Sequence, residues 1–214
     1  MTFKVVIGLV AGMAAAAAAA TTAHAGGGRG AAFSLLKEGE AVRPPRAYAE
    51  MCERRPELCP SRAIGGELDG MRRVLAQTYG RDALGVRPPE LTSARYREIE
   101  QVNLTVNRTI QPVMDSGRDY WSFSSRAGDC EEYVMMKREL LAQLGWPRTA
   151  LRVTVVKDLN DQYHAVLVVS TQNGEFVLDN LTNQITRVAD SPYRFVVSQS
   201  ARRPGVWVRV RRES

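Results

Sequence analysis

The stretch of sequence best suited to chemistry is residues 127–138, where a cysteine follows a glycine and an aspartate at the start of a helical pattern. Apolar side chains recur at helical spacing over residues 133–144, and Gly145 ends the pattern. Asp129 is a suitable N-cap residue. The pattern therefore predicts that Cys130 lies in the first turn of an amphipathic helix.

A cysteine in that position can act as a nucleophile. The positive end of the helix dipole favours the thiolate, which is the nucleophilic form. The alternative is a buried, unreactive cysteine, which is the more common fate of a lone cysteine. Asp129, Glu131 and Glu132 flank Cys130, and such a concentration of acids is unusual around a core residue. The flanking sequence therefore favours the nucleophile.

The sequence offers one candidate base for this cysteine. It contains two histidines, His24 and His164, and His24 falls inside a predicted leader. A cysteine nucleophile needs a base that titrates near neutral pH, and imidazole is the usual choice. The alternative is a histidine that only forms a structural hydrogen bond at the start of a strand over residues 163–170. A single histidine beside a single unpaired cysteine favours catalysis.

Asp179 is the candidate third member. It follows a predicted strand over residues 175–178, and a carboxylate would orient the imidazole and stabilise imidazolium. The alternative is an aspartate that ends the strand by capping a turn. A tight turn at residues 173–174 would leave Asp179 too far along its strand from His164. We therefore predict a longer or bulged loop over residues 170–175.

The N-terminus has the features of an export signal. Lys4 precedes an apolar, alanine-rich run that ends in Ala-His-Ala at residues 23–25, which predicts a Sec signal peptide over residues 1–25 and a periplasmic location. The alternative is an uncleaved membrane anchor. No later stretch approaches the ~18 apolar residues of a membrane span. The net charge is +6, but the arginines are scattered, so no nucleic-acid surface is predicted.

Export would place the other two cysteines in an oxidising compartment. Because the destination is oxidising, Cys52 and Cys59 can pair within a polar, proline-containing loop over residues 48–60. The alternatives are two free thiols or a zinc site, and zinc is disfavoured because histidines and cysteines are too few. Pairing would leave Cys130 as the free thiol.

Helical patterns precede strand patterns along the chain. Helices are predicted over residues 66–79 and 92–110 and from residue 130, after a flexible segment over residues 26–47. The alternating patterns beyond Pro147 predict six strands, over residues 151–155, 163–170, 175–178, 185–188, 193–197 and 206–210. We therefore predict one α+β domain over residues 48–214, with N-terminal helices packed on a C-terminal antiparallel sheet.

Together these motifs resemble the bacterial transglutaminase-like cysteine proteinases, the family of the LapG periplasmic protease. The resemblance covers about residues 45–200 and implies a papain/transglutaminase-like fold with a Cys130–His164–Asp179 triad. The matching features are Gly128–Tyr133 with Lys137, Tyr163–Leu167, Val177–Leu181, the Cys52/Cys59 loop, the Asn103/Asn107 helix and Trp121.

The resemblance also implies a metal and partners. Family members bind calcium through acids around the nucleophile, which here match Asp129, Glu131 and Glu132, although the family commonly has aspartate at position 132. The alternative is that these acids cap the helix and interact with its dipole. Members cleave the N-terminal region of large surface adhesins and can be held inactive by an inner-membrane cyclic-di-GMP receptor.

The chain is thus predicted to be an exported cysteine endopeptidase that acts on a cell-surface or periplasmic protein such as a biofilm adhesin. One alternative is a transglutaminase or amidase with the same triad, and another is a non-catalytic periplasmic binding module. The oxyanion would contact the Cys130 backbone N–H and a second donor, for which Trp121 and Asn107 are candidates.

Overall fold

A computed structural model describes residues 36–59 and 88–212. All the described residues belong to one compact unit. The predicted signal peptide and the predicted helix over residues 66–79 lie outside the described residues. No helix in the described part of the chain is long and apolar enough to cross a membrane.

The strands of the described residues are β1 (Lys37–Val42), β2 (Gln111–Pro112), β3 (Ala127–Gly128), β4 (Leu151–Lys157), β5 (Tyr163–Thr171), β6 (Gly174–Leu178), β7 (Thr186–Arg187), β8 (Arg194–Gln199) and β9 (Trp207–Arg211). Seven of them form an antiparallel sheet in the order β1-β9-β8-β4-β5-β6-β7. The two short strands β2 and β3 pair in parallel, and β3 comes just before the helix that starts at Cys130.

Three α-helices accompany the sheet in the described residues: α1 (Arg46–Arg54), α2 (Ser93–Thr109) and α3 (Cys130–Gln143). Helix α3 packs against α2 and against the central strands β4 and β5. Their shared core contains the apolar stripe of α2, and a smaller apolar cluster includes Val156, Val166 and Val168. The architecture is the predicted α+β arrangement.

The two helices nearest the site have the bounds that the sequence predicts. The Thr92 side chain caps α2 by accepting a hydrogen bond from the Arg95 backbone N–H at 3.2 Å. Helix α3 begins at Cys130 and ends just before Gly145, which has a φ of +87°. A positive φ is easily adopted by glycine alone, so the chain leaves the helix there.

Two parts of the N-terminal region differ from the predictions. Residues 37–42 lie in the segment predicted to be flexible, yet they form β1 and pair with β9. The predicted loop over residues 48–60 contains most of α1 and a 3-10 turn, Pro56–Leu58. Tyr48 and Met51 are buried. Their burial stabilises α1, although the many polar residues of this segment do not show a clear helical pattern in the sequence. A disulfide joins Cys52 to Cys59.

The prediction of a long or bulged loop between β5 and β6 is wrong. Thr171 pairs with Gly174, so the turn has only two residues, at positions 172 and 173. If this register continued, Asp179 would lie opposite Val166, on the same face as His164 and two residues away. Diagonal neighbours of this kind are within reach of long side chains, so a tight turn does not separate Asp179 from His164.

The start of α3 depends on close packing between Gly128 and Glu132. The Glu132 side chain folds back, and its Oε2 atom accepts a hydrogen bond from the Asp129 backbone N–H at 3.0 Å. Its Oε1 atom accepts from the Ser122 backbone N–H at 2.8 Å and from the Ser122 hydroxyl at 2.7 Å. A Cβ atom on Gly128 would lie 2.5 Å from both Cγ and Oε2 of Glu132.

We therefore predict that Gly128→Ala lowers the free energy of unfolding by about 1–3 kcal/mol, because the added methyl group displaces Glu132. The matched control is Gly39→Ala in β1, whose Cβ would make an ordinary contact 3.5 Å from the Arg209 carbonyl oxygen. Urea unfolding measures both variants. Equal stability of the two would contradict this account of Gly128.

Candidate active site

Cys130 lies where the N-terminus of α3 meets strand β5. Its Sγ atom accepts a hydrogen bond from the Ala165 backbone N–H at 3.4 Å. Because Ala165 directly follows His164 in β5, this contact brings the candidate nucleophile and the candidate base to the same end of the strand. The Cys130 thiol also donates a hydrogen bond to Glu131 Oε2 at 3.2 Å.

His164 and Asp179 are joined by a hydrogen bond. The distance from His164 Nε2 to Asp179 Oδ1 is 2.8 Å, and both side chains are buried. Burial alone raises the pKa of Asp179, but hydrogen bonds from His164 and Tyr193 outweigh it and bring the pKa below its ordinary value. Asp179 is therefore ionised at neutral pH, so His164 carries a proton on Nε2 and leaves Nδ1 as the acceptor nitrogen of the neutral ring.

Tyr193 completes this arrangement and was missed by the sequence analysis. Its hydroxyl donates a hydrogen bond to Asp179 Oδ2, and its ring lies edge-on to the His164 ring, with centroids 5.7 Å apart. Tyr193 begins a predicted strand after a turn, and its spacing from the other candidates carries no signal. The one clue that could have identified it is general: a buried tyrosine hydroxyl usually needs a hydrogen-bond partner.

The acids around Cys130 oppose its ionisation. Asp129, Cys130 and Glu131 offer atoms that all lie within 4.8 Å of one another. Burial and the Asp129 carboxylate raise the pKa of Glu131 to about 9, and burial and the Glu131 charge raise the pKa of the Cys130 thiol. Burial, together with the neighbouring acids, therefore keeps the thiol protonated at neutral pH in this arrangement.

Two more acids lie near the nucleophile and differ in their surroundings. Burial and the Asp129 charge raise the pKa of Asp119, which the sequence analysis did not select. Glu132, in contrast, is buried, and its carboxylate accepts hydrogen bonds from Ser122 and from the Asp129 backbone. The structure thus groups Asp129 and Glu131 with Cys130 and places the Glu132 carboxylate outside that group.

A cleft of about 350 Å³ opens beside His164 and Glu131. Its walls combine apolar and charged side chains. The lining residues are Arg43, Pro44, Pro45, Asp119, Trp121, Glu131, Val155, Tyr163, His164, Ala165, Val196 and Val197.

The two candidate oxyanion donors have different environments. Trp121 is buried in the wall of the cleft. The Asn107 Nδ2 group already donates to the Asp179 carbonyl at 2.9 Å, to the Thr182 carbonyl at 3.1 Å and to Asn183 Oδ1 at 3.1 Å. Asn107 therefore supports the chain after Asp179, and its amide N–H groups are engaged there.

We predict that Tyr193→Phe lowers the free energy of unfolding at neutral pH by about 1.5–3 kcal/mol, the usual contribution of a hydrogen bond to a charged group. Because the folded-state pKa of Asp179 is lowered, this stability is present above the unfolded pKa and is lost as the pH falls through the folded one. The difference between wild type and variant should therefore shrink as the pH falls below the ordinary aspartate pKa of about 3.9.

Urea unfolding across this pH range measures the difference, with Tyr96→Phe on the exposed surface of α2 as the matched control. A Tyr193→Phe protein as stable as the control at neutral pH would contradict the assigned hydrogen bond.

Solved structures of LapG from Legionella pneumophila are similar to this chain. One is 27% identical over 53% of this chain and 68% of its own, with a TM-score of 0.46. A calcium-bound LapG structure is 24% identical over 65% and 86%, with a TM-score of 0.47. No curated protein is similar enough to count as a match.

A family model covers nearly all of the chain that follows the predicted leader. Residues 38–214 match the model of the bacterial transglutaminase-like cysteine proteinases. The matched region includes Cys130, His164 and Asp179, and the α+β fold agrees with the assignment. The chain therefore belongs to the bacterial transglutaminase-like cysteine proteinases, a family of cysteine peptidases.

Proposed function

We propose that this peptidase is an endopeptidase with Cys130 as nucleophile, His164 as general base and acid, and Asp179 as the orienting carboxylate. The observation that carries the proposal is a pair of contacts at adjacent residues of β5: the Ala165 N–H binds Cys130 Sγ, and His164 Nε2 binds Asp179 Oδ1. A nucleophile, a titratable base and an ionised orienting group are the three members of a catalytic triad.

In this mechanism His164 accepts the thiol proton, and the Cys130 sulfur attacks the carbonyl carbon of the scissile peptide bond. The negative charge on the carbonyl oxygen is stabilised by the Cys130 backbone N–H. The tetrahedral intermediate collapses, the C–N bond breaks, and His164 returns the proton to the leaving amine. Water then hydrolyses the thioester with His164 as base, which regenerates the thiol.

Calcium fits the acids beside the nucleophile. Carboxylate oxygens are the ligands that calcium prefers, and Asp129 and Glu131 converge within a few ångströms of the thiol. Burial and the neighbouring Asp129 carboxylate raise the pKa of Glu131 to about 9, and a bound divalent cation would favour the ionised form of Glu131. We propose Asp129 and Glu131 as ligands and Glu132 as the residue that supports them through the helix start. Bound calcium would supply positive charge that favours the Cys130 thiolate.

The proposed substrate is a large surface adhesin, and the proposed location is the periplasm. The predicted signal peptide over residues 1–25 supports export, and membership of the family supports a protein substrate. The proposed regulator is an inner-membrane cyclic-di-GMP receptor, on the resemblance alone. Cell fractionation tests the location, and co-purification with such a receptor from solubilised membranes tests the partner. Recovery of the protein only from the cytoplasm would contradict the proposed location and, with it, the proposed regulator.

We predict that Cys130→Ser abolishes cleavage of the N-terminal region of such an adhesin and that His164→Ala and Asp179→Ala each lower kcat. Serine lacks the thiolate, and the other two variants lose the base and its orientation. The control is Gln162→Ala, an exposed residue just before β5. Mass spectrometry of the products separates hydrolysis, which adds water, from transamidation, which adds an amine. Full activity of Cys130→Ser would overturn the proposed nucleophile.

We also predict that EGTA abolishes cleavage and that added calcium restores it. Asp129→Asn and Glu131→Gln should each weaken calcium binding by about tenfold or more, because each removes one ionised ligand. Titration calorimetry measures the affinity without reference to activity, and Glu100→Gln on the exposed surface of α2 is the control. Undiminished cleavage in protein shown to be free of metal would leave these acids as helix-start residues only.

A further inference from the structure

Lys137 is a buried cation whose ammonium has no hydrogen-bond partner. It lies seven residues after Cys130, about two turns along α3 on the same side. Its side chain is fully buried, and Nζ makes no hydrogen bond. The nearest described aromatic contact is weak, with the Tyr133 ring centroid 5.9 Å away. An unpaired buried charge is costly, so this position calls for an explanation.

Three asparagine side-chain oxygens are in the same condition as the ammonium. The Oδ1 atoms of Asn103, Asn107 and Asn180 are buried and make no hydrogen bond. All three residues lie in one segment of chain, residues 179–183, or donate hydrogen bonds to it. Asn103 Nδ2 donates to the Asn183 carbonyl at 3.2 Å, Asn107 Nδ2 donates to the Asp179 carbonyl at 2.9 Å, and Asn180 belongs to the segment.

The chemistry of these four atoms is complementary. An ammonium group has three donors and no acceptor, whereas an amide oxygen only accepts. Packing places Lys137 on the side of α3 that faces α2: the Tyr133 hydroxyl, one turn earlier, donates to the Ile110 carbonyl at the end of α2 at 2.6 Å, and α2 carries Asn103 and Asn107. Burial lowers the pKa of Lys137 to about 7, and the nearby Asp179 charge acts in the opposite direction. Since no two of the four atoms are directly hydrogen-bonded, bridging water is the means by which they can satisfy one another.

We propose that Lys137 is a positioning residue for Asp179. Through internal water, its ammonium joins the amide oxygens of Asn103, Asn107 and Asn180 into one network. This network holds residues 179–183, and with them the carboxylate that orients His164. The inference rests on the proposed triad, because it assigns Lys137 a role through Asp179 and gives it no contact with substrate.

The test compares Lys137→Met with Arg138→Met. Methionine preserves the length and the apolar stem of lysine while removing the charge. Arg138 is also buried on α3, but its guanidinium donates to the Leu151 carbonyl at 3.2 Å and to the Leu58 carbonyl at 3.3 Å, away from residues 179–183. Arg138→Met therefore controls for the general cost of removing a buried cation from this helix.

We expect kcat to fall about tenfold to a hundredfold in Lys137→Met with KM nearly unchanged, because misplacement of a catalytic group costs rate of this order. The His164 Nε2–H signal in proton NMR of histidine-labelled protein should also shift. Arg138→Met should lower stability in urea while leaving both kcat and the His164 signal of the folded protein unchanged. Wild-type kcat and an unshifted His164 signal in Lys137→Met would overturn the inference.

Further variants complete the test. If Lys137→Met does not fold, Lys137→Gln, which keeps a donor, and Asn103→Ala, which removes one acceptor, replace it. Both should lower kcat, and wild-type kcat in both would overturn the inference. Asp179→Ala is measured alongside. If it retains full activity, the proposed triad itself fails, whereas reduced activity in Asp179→Ala with full activity in the Lys137 variants rejects the role of Lys137 alone.

Discussion

The hydrogen bonds of the Glu132 carboxylate at the start of α3 are the constraint on which the site depends. They hold the Ser122 loop and the Asp129 backbone together and so determine where the helix begins. Gly128 leaves the space that the Glu132 side chain fills. With the helix start fixed, Cys130 reaches the Ala165 N–H of β5, and the helical and sheet halves of the site meet there.

The same helix start creates an electrostatic conflict that the proposed chemistry must resolve. Asp129 and Glu131 lie beside the thiol, and burial strengthens their effect because few waters screen it. The helix dipole is equivalent to only about half a charge, so it does not offset the burial of the thiol together with the neighbouring acids. A bound cation reverses the sign of the local field. Asp129 and Glu131 would therefore make the reactivity of Cys130 depend on calcium. Glu132 would contribute indirectly, because it fixes the start of α3.

Local patterns predicted the elements that carry the motifs, and long-range packing decided the rest. Capping residues and helical spacing located α2 and α3 because those signals lie within a few residues. Strand β1 is rich in charged residues and is stabilised by pairing with β9, which no local pattern reveals. The contact of Tyr193 with Asp179, and the inward turn of Glu132, likewise join residues whose proximity depends on the folded chain.

The pairing of Cys130 with His164 is tested most directly by the pH dependence of Cys130 alkylation by iodoacetamide. The rate is measured with calcium present, in wild type and in His164→Ala, and Cys52 and Cys59 are protected by their disulfide. Wild-type protein should react at pH values well below the ordinary thiol pKa of about 8.5, whereas the variant should react only as the pH approaches or exceeds that value. Identical profiles for the two proteins would contradict the pairing.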